Sequence, residues 1–211
     1  MNRKIKICCV TGTRADYPRV KSVLKEIQKN KDFSLQIIVT GSHLLESHGY
    51  SYKEILDDGF KIDKKVVMYE NDFNSPIGMT LATAKCMNGI AKALSELKPD
   101  IMLITVDRVE TLAAASAASL MNYPIAHIQG GEVTGTIDES IRHAVTKMSH
   151  IHFPATQDAY ERILYMGEPK ENIFLVGCPY IDIISKLKPT IKKELTKRYQ
   201  INFDKPVAIF T

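Results

Sequence analysis

The sequence predicts an α/β protein built on a doubly wound, mostly parallel sheet. Short apolar runs of strand length alternate along the chain with longer segments whose apolar residues recur at helical spacing. This alternating order makes successive strands parallel, and right-handed connections place helices on both faces of the sheet. Polar residues collect where strands give way to helices, which is where open parallel sheets bind their ligands.

The predicted strands are short and apolar, and the predicted helices carry an apolar stripe. The strands cover residues 5–10, 35–39, 66–68, 101–104, 125–128, 151–154 and 173–176. The helices cover residues 17–28, 52–57, 77–97, 110–121, 137–148 and 157–166. The helix at 137–148 has the clearest start, because Thr136 and Glu139 form a capping-box pattern.

The last part of the sequence differs from the rest. Residues 1–188 are predicted to form one domain, and residues 189–199 form a basic, polar helix typical of a connector. A new apolar strand begins at Pro206 and has no following partner element. We therefore expect this chain to be the N-terminal half of a longer protein, with residues 189–211 forming the connector and the first strand of a second domain.

Composition excludes several classes of function. The chain has 211 residues, 45% of them hydrophobic and 25% charged, with a formal net charge of +4, which is ordinary for a globular protein. The lysines are scattered, and no basic stripe alternates with aromatic residues, so nucleic acid is not an expected partner. No apolar run reaches the ~18 residues of a membrane span, and no signal-peptide core is present. The four cysteines lack metal-ligand spacing, which favours buried thiols in the reducing cytoplasm and no metal.

The stretch PIAHIQGGEVTGTIDESIRHAVTK, residues 124–147, is the richest in chemistry. Two adjacent glycines end its strand and permit a tight turn or a close approach to a ligand. Asp138 and Arg142 share one face of the following helix because they are four residues apart. A well-capped surface helix is the alternative, but capping does not account for Glu132 directly after the glycines. The pattern therefore predicts a binding or catalytic site at this turn.

Two other strand ends carry candidate residues. Arg14 follows the first strand, where a helix N-terminus and a guanidinium together would bind an anion. A plain strand-to-helix turn is the alternative there, because a single glycine is weak evidence. Asp107 and Arg108 follow the strand at 101–104, and the alternative for Asp107 is a simple N-cap of the next helix.

Five ordered motifs resemble those of the hydrolysing UDP-N-acetylglucosamine 2-epimerases. The motifs are TGTRADYPRV (11–20), TGSHLLESHGYSYKEI (40–55), VDRVETLAAASAASLMNYP (106–124), HIQGGEVTGTIDESIRHAVTK (127–147) and GCPYID (177–182). Enzymes of that family make N-acetylmannosamine for sialic acid synthesis, and close relatives act on diacetamido sugars for legionaminic-type acids. Because the resemblance covers nearly the whole chain, it implies the Rossmann-like N-terminal half of a GT-B-like two-domain fold.

The resemblance also implies roles for eight residues. The catalytic residues it implies are Asp107, Glu132, Asp138 and Arg142, and the substrate-binding residues are Arg14, His43, Arg108 and Gln129. For His43 a helix cap or a half-buried histidine is the alternative. Arg19 is not carried over, because a basic residue there occurs in the non-hydrolysing relatives. The resemblance further implies a UDP-sugar substrate, a homo-oligomer, and no metal or other cofactor.

The chain departs from the family motif at two positions. Val106 stands where the family has glycine, which affects the backbone approach before Asp107. Gln129 stands where some members carry a catalytic glutamate, and an amide cannot take up a proton. Either Glu132 then serves as the acid or base, or Asp107 and Asp138 suffice.

The resembled chemistry explains why acids and arginines would cluster. UDP leaves by elimination across C1–C2 of the sugar to give a 2-acetamidoglycal, and water then adds to release the free 2-epimer. This sequence of steps needs a base near C2, an acid or positive charge at the leaving UDP oxygen, and a group that activates water. Two alternatives remain open, namely half of a GT-B glycosyltransferase and a non-catalytic nucleotide-sugar-binding module. Neither would need the cluster of acids predicted above.

Overall fold

The structure is a computed structural model that describes residues 3–70 and 75–208 of the chain. Within these residues, six strands form one parallel sheet in the order β3-β2-β1-β4-β5-β6. The strands are β1 (Ile5–Thr11), β2 (Phe33–Val39), β3 (Lys64–Lys65), β4 (Ile101–Thr105), β5 (Ile125–Ile128) and β6 (Ile151–Phe153). The direction of winding reverses between β1 and β4, and the loops that leave these strands at their carboxyl ends bound a crevice there.

Helices cover both faces of the sheet. They are α1 (Tyr17–Lys29), α2 (Tyr52–Asp57), α3 (Pro76–Leu97), α4 (Val109–Leu120), α5 (Ile137–Met148) and α6 (Gln157–Tyr165). Two further helices, α7 (Pro179–Ile184) and α8 (Lys192–Tyr199), follow along the chain. Alternate residues of β1 serve different cores: Cys8 packs with α3, α4 and α5, whereas Cys9 packs with α1 and α2. The predicted doubly wound parallel sheet is therefore confirmed. Among the described helices, none combines the length and the apolarity that crossing a bilayer requires.

Two predicted strands differ from the structure at the edges of the sheet. The strand expected at 66–68 is instead the two-residue β3, after which the Val66 N–H still donates to Val39 O at 2.8 Å. The strand expected at 173–176 is reduced to one bridge between His152 and Ile173. The residues after Ile173 are exposed at 47–58%, so little burial holds them to the edge of the sheet.

The chain divides into two compact units, Met1–Tyr180 and Ile181–Thr211. The predicted domain boundary after residue 188 stays a prediction. In the second unit, α8 lies where the connector helix was expected. The strand expected from Pro206 is absent over residues 206–208, and its remainder at 209–211 lies outside the described residues.

Candidate active site

An open pocket of about 530 Å³ lies at the carboxyl ends of β1, β4 and β5. Its wall includes six of the eight residues predicted from the sequence, namely Asp107, Arg108, Gln129, Glu132, Asp138 and Arg142. Two loops and the first turns of α5 bring these side chains together although the chain positions span 36 residues, from 107 to 142. The parallel topology thus assembles one site from separate motifs, as expected at a point where the strand order reverses.

Arg142 connects two walls of the pocket. It lies on α5 and is only 5% exposed. Its guanidinium forms an ion pair with Asp107 from the β4 loop, and its Nη1 donates to the backbone carbonyl of Glu132 at 2.7 Å. Burial, together with the positive charge of Arg19, lowers the pKa of Arg142. This arginine therefore fixes the β4 and β5 loops relative to each other and orients the Asp107 carboxylate.

The backbone before Asp107 is strained. Val106 has φ +65°, a left-handed conformation that a β-branched residue rarely adopts. The fully buried His127 lies behind it, with Nε2 3.3 Å from Val106 O and Nδ1 3.3 Å from the Thr146 hydroxyl oxygen. Burial lowers the pKa of His127 to about 4, so the ring is neutral and donates from Nε2 to the Val106 carbonyl. The histidine thus helps to hold a turn that glycine would adopt without strain.

Gln129 is held on both ends of its amide. Its Oε1 accepts from Nη1 of Arg19 at 3.4 Å, and its Nε2 lies 3.3 Å from the sulfur of Cys178. The residue is 8% exposed and also has a left-handed backbone, with φ +59°. The amide is therefore fixed in the pocket wall, in an orientation that an acid would not reproduce at the Cys178 end.

Glu132 and Asp138 are half-buried in the pocket wall next to the start of α5. The helix begins at Ile137 as predicted, and the Thr136 side chain accepts from the Asp138 N–H. Glu139 does not close the expected capping box on Thr136, because its carboxylate accepts from the Thr134 N–H at 2.8 Å instead. That hydrogen bond holds the loop between Glu132 and α5, so both acids lie next to a turn that is fixed in place.

The remaining two predicted residues do not line this pocket. Arg14 is exposed in the loop between β1 and α1. His43 is fully buried, with Nε2 3.1 Å from the Thr11 hydroxyl and Nδ1 2.8 Å from the Ser51 hydroxyl. Burial lowers the pKa of His43 to about 4. Their substrate-binding roles stay predictions.

Asp16 was not predicted and lies in the wall of the pocket at 3% exposure. It accepts from the backbone N–H groups of Gly12 and Thr13 at 3.1 and 3.0 Å, and from the Thr13 hydroxyl at 2.6 Å. Burial is the main reason that its pKa rises to about 6. The amides that would cradle a phosphate in this loop are therefore already occupied. The Thr-x-x-Asp spacing was the signal available in the sequence.

Arg19, in the first turn of α1, also lines the pocket, although no role was carried over to it from the resemblance. Helical spacing does not predict which of Arg14 and Arg19 faces the edge of the sheet. Arg14 lies before the helix begins, so the helical period does not apply to it. Together with Arg108 and Arg142, Arg19 gives the pocket three guanidinium groups beside its acids. Among the residues that the structure describes, no three histidine, cysteine or acidic side chains are grouped as metal ligands.

The fold and the pocket define a parallel α/β protein with an open pocket, lined by acids and arginines, at the switch point of its sheet. Over residues 25–211 the chain matches the family model described as UDP-N-acetylglucosamine 2-epimerase, and it belongs to that family.

Two relatives within the family show which of its members this chain is similar to. The chain is 40% identical to a hydrolysing GDP/UDP-N,N'-diacetylbacillosamine 2-epimerase of Campylobacter jejuni, over 99% of this chain and 54% of that protein. It is also 40% identical to a hydrolysing UDP-N,N'-diacetylbacillosamine 2-epimerase of Legionella pneumophila, over 97% of this chain and 54% of that protein. The chain thus spans about half the length of the curated relatives that it matches.

A solved structure shares the fold. A UDP-GlcNAc 2-epimerase from Neisseria meningitidis, crystallised with UDP-GlcNAc, superposes with a TM-score of 0.77 at 24% identity. The match covers 94% of this chain and 55% of that one. The Rossmann-like architecture predicted from the sequence is therefore that of one half of the epimerase structures.

Proposed function

We propose that the complete natural protein is a hydrolysing 2-epimerase of a UDP-linked 2-acetamido sugar. The observation that carries this proposal is the assembly of Asp107, Glu132 and Asp138 with Arg108 and Arg142 in one pocket. Membership of the epimerase family supports the reaction class. The 40% identity to two enzymes named for diacetylbacillosamine favours a diacetamido sugar over N-acetylglucosamine.

The pocket offers a group for each step of such a reaction. A carboxylate takes the proton from C2 while the C1–O bond breaks, and UDP departs with the bonding electrons. Arg108 and Arg142 supply positive charge near the oxygen that becomes negative as UDP leaves. A second carboxylate then deprotonates water, which adds at C1, while C2 regains a proton from the opposite face. The net reaction is neither an oxidation nor a reduction, so it consumes no electron acceptor.

The experiment uses the complete protein in deuterated buffer. Each of UDP-N-acetylglucosamine and a UDP-diacetamido sugar is supplied separately, and products are followed by nuclear magnetic resonance. The expected products are UDP and a free 2-epimer that carries deuterium at C2, formed faster from the diacetamido sugar. UDP release that requires an acceptor sugar would point to a glycosyltransferase, and tight binding without release would point to a binding module.

We also propose that the free sugar supplies the synthesis of sialic or legionaminic-type acids in the cytoplasm, and that the enzyme is a homo-oligomer. The four free cysteines, three of them buried, support a reducing compartment. Light scattering on the complete protein should give a multiple of the protomer mass. A monomeric mass at micromolar concentration would contradict the proposed assembly.

A further inference from the structure

A buried carboxylate lies behind the pocket wall, and the reaction proposed above does not use it. Glu110, in the first turn of α4, is 2% exposed. The Tyr69 hydroxyl donates to its Oε1 at 2.8 Å, and its Oε2 lies 3.4 Å from Nε of Arg108. Burial of a carboxylate is costly unless partners compensate it. The tyrosine hydrogen bond satisfies Oε1, whereas Oε2 and the Arg108 Nε are buried without a hydrogen bond among the described residues and are compensated only by their opposite charges.

The backbone around Glu110 leaves space for this one side chain. A Cβ atom on Gly12 would lie 2.9 Å from Glu110 Cγ, and one on Gly41 would lie 2.6 Å from Glu110 Oε1. Gly12 follows β1 and Gly41 follows β2, so the ends of two strands close around the carboxylate. A glutamate that only complemented the positive end of α4 could do so in solvent, where it would require no glycine.

Arg108 connects this buried carboxylate to the pocket. Its side chain is 43% exposed and lines the pocket, while its Nε faces Glu110. Burial alone would lower the pKa of Arg108, but the negative charge of Glu110, with a smaller contribution from Asp16, raises it. Because a guanidinium has several N–H groups in one plane, fixing its Nε edge leaves the others in a defined direction.

We propose that Glu110 is a positioning residue of this site. Together with Tyr69 it holds Arg108 so that the guanidinium faces the diphosphate of the nucleotide sugar while UDP departs. This inference rests on the proposed epimerase function. Glu110 itself does not line the pocket and acts through Arg108. The interaction is strongest when the leaving oxygen carries its full charge, so its loss lowers kcat more than it raises KM.

The test compares Glu110→Gln with a matched control in the complete protein. Glu168→Gln is the control, because Glu168 is also a partly buried acid, ion-paired with Lys147 and 3.2 Å from Nε2 of His152, but does not line the pocket. Glu110→Gln should lower kcat roughly tenfold with KM within about threefold. Glu168→Gln should leave kcat per folded enzyme unchanged. Tyr69→Phe, which keeps the ring, should show the same pattern at about threefold and covers the case in which Glu110→Gln folds poorly.

A double-mutant cycle separates positioning from a purely structural role. In an Arg108→Ala background, adding Glu110→Gln should lower kcat by less than about twofold, since Arg108 carries the effect. An unchanged kcat in Glu110→Gln, or a full tenfold further loss in the double variant, overturns the proposal.

Calorimetry with UDP distinguishes failure of this inference from failure of the proposed function. UDP carries the charge of the leaving group, so Glu110→Gln should bind it roughly tenfold more weakly, with uridine affinity unchanged. Turnover in the wild type with unaltered UDP affinity in Glu110→Gln overturns the positioning role alone. Absence of both turnover and UDP binding in the wild type overturns the epimerase function, and this role with it.

Discussion

The carboxyl ends of β4 and β5 differ from those of β1 and β2 in where their polar groups point. After β4 and β5, Asp107, Glu132 and Asp138 lie in the wall of an open pocket. After β1 and β2, by contrast, Asp16 and His43 are bonded within the fold: Asp16 to loop amides, and His43 to Thr11 and Ser51. A polar motif at a strand end therefore marks a site only where local partners leave its side chains facing solvent.

Arg142 gives the reason for this difference. Its guanidinium pairs with the Asp107 carboxylate and donates to the backbone carbonyl of Glu132. It therefore fixes both loops while it contacts only one of their carboxylates. In the β1 loop, by contrast, the Asp16 carboxylate itself fixes the loop, and both of its oxygens accept hydrogen bonds in doing so. The loops at β4 and β5 thus keep their acids available for chemistry. Four predictions test this difference.

The largest effect is expected from Asp138→Asn in the complete protein. Loss of one positioned proton-transfer group should lower kcat by roughly 10²–10⁴-fold, with substrate affinity within a few-fold. Asp158→Asn is the matched control, because Asp158 holds the same position in α6, two residues after a capping threonine, yet lies outside the pocket. Rates of UDP release and binding calorimetry measure both quantities. A near-normal kcat for Asp138→Asn would reduce Asp138 to a helix-end charge.

A second prediction separates Glu132 from Gln129. If Glu132 performs the proton transfer, Glu132→Gln should slow both UDP release and deuterium incorporation at C2 by roughly 10³-fold. Gln129→Glu should keep kcat within about threefold. The new acid would lose the contact of Nε2 with Cys178 but would keep an oxygen beside Arg19.

The rival role for Glu132 is structural. Under that role, Glu132→Gln lowers the melting temperature and leaves the deuterium exchange rate per folded enzyme unchanged. Exchange and melting are therefore measured on the same samples. Unchanged exchange would leave Asp107 and Asp138 as the acids of the pocket.

The third prediction concerns His43, which follows β2, and its effect on the pH dependence of stability. His43 has a pKa of about 4 in the folded state, below the ordinary value of 6.5, because it is buried. The unfolded chain therefore binds more protons between these pH values, and the free energy of unfolding falls as pH drops from 6.5 to 4. The loss attributable to His43 is roughly 3 kcal/mol.

The comparison of His43→Gln with the wild type isolates this group. Asp16 acts in the opposite direction, because its pKa of about 6 makes its contribution to stability decline as pH rises toward 6, but it is common to both proteins. Urea denaturation at several pH values should give a shallower fall for His43→Gln. Parallel curves for the two proteins would mean that His43 is already accessible to protons in the folded state.

The sequence carried enough information for the sheet but not for the whole site. Strands and helices followed from apolar periodicity, and the two edge strands were misjudged because burial at a sheet edge depends on what covers it. The pocket residues after β4 and β5 were visible as polar groups at strand ends. Asp16 was missed although its contacts are local, within the turn from Gly12 to Asp16. Arg19 and Glu110 were missed because their positions depend on contacts between separate strand ends. Glu110, in particular, is indistinguishable in sequence from an ordinary acid in the first turn of a helix.

The smallest effect is expected at Val106, because this residue lies in the loop after β4, where the backbone is strained. Val106→Gly removes the left-handed strain of φ +65°, which costs ~1–2 kcal/mol for a residue with a side chain. Glycine also gives the unfolded chain more freedom, at a cost of ~0.4–1 kcal/mol. The half-buried valine side chain is lost as well, which subtracts a few tenths of a kcal/mol more. The balance is a gain of up to about 1 kcal/mol, or an increase of about 2–4 °C in Tm.

Val133→Gly provides the control for Val106→Gly, because Val133 lines the same pocket without a positive φ. It should lower Tm, since it brings only the entropic cost of glycine and the loss of an apolar side chain. Opposite shifts of the two variants would locate the strain at the turn before Asp107. Equal losses would show that the His127 contact and the surrounding packing already relieve it.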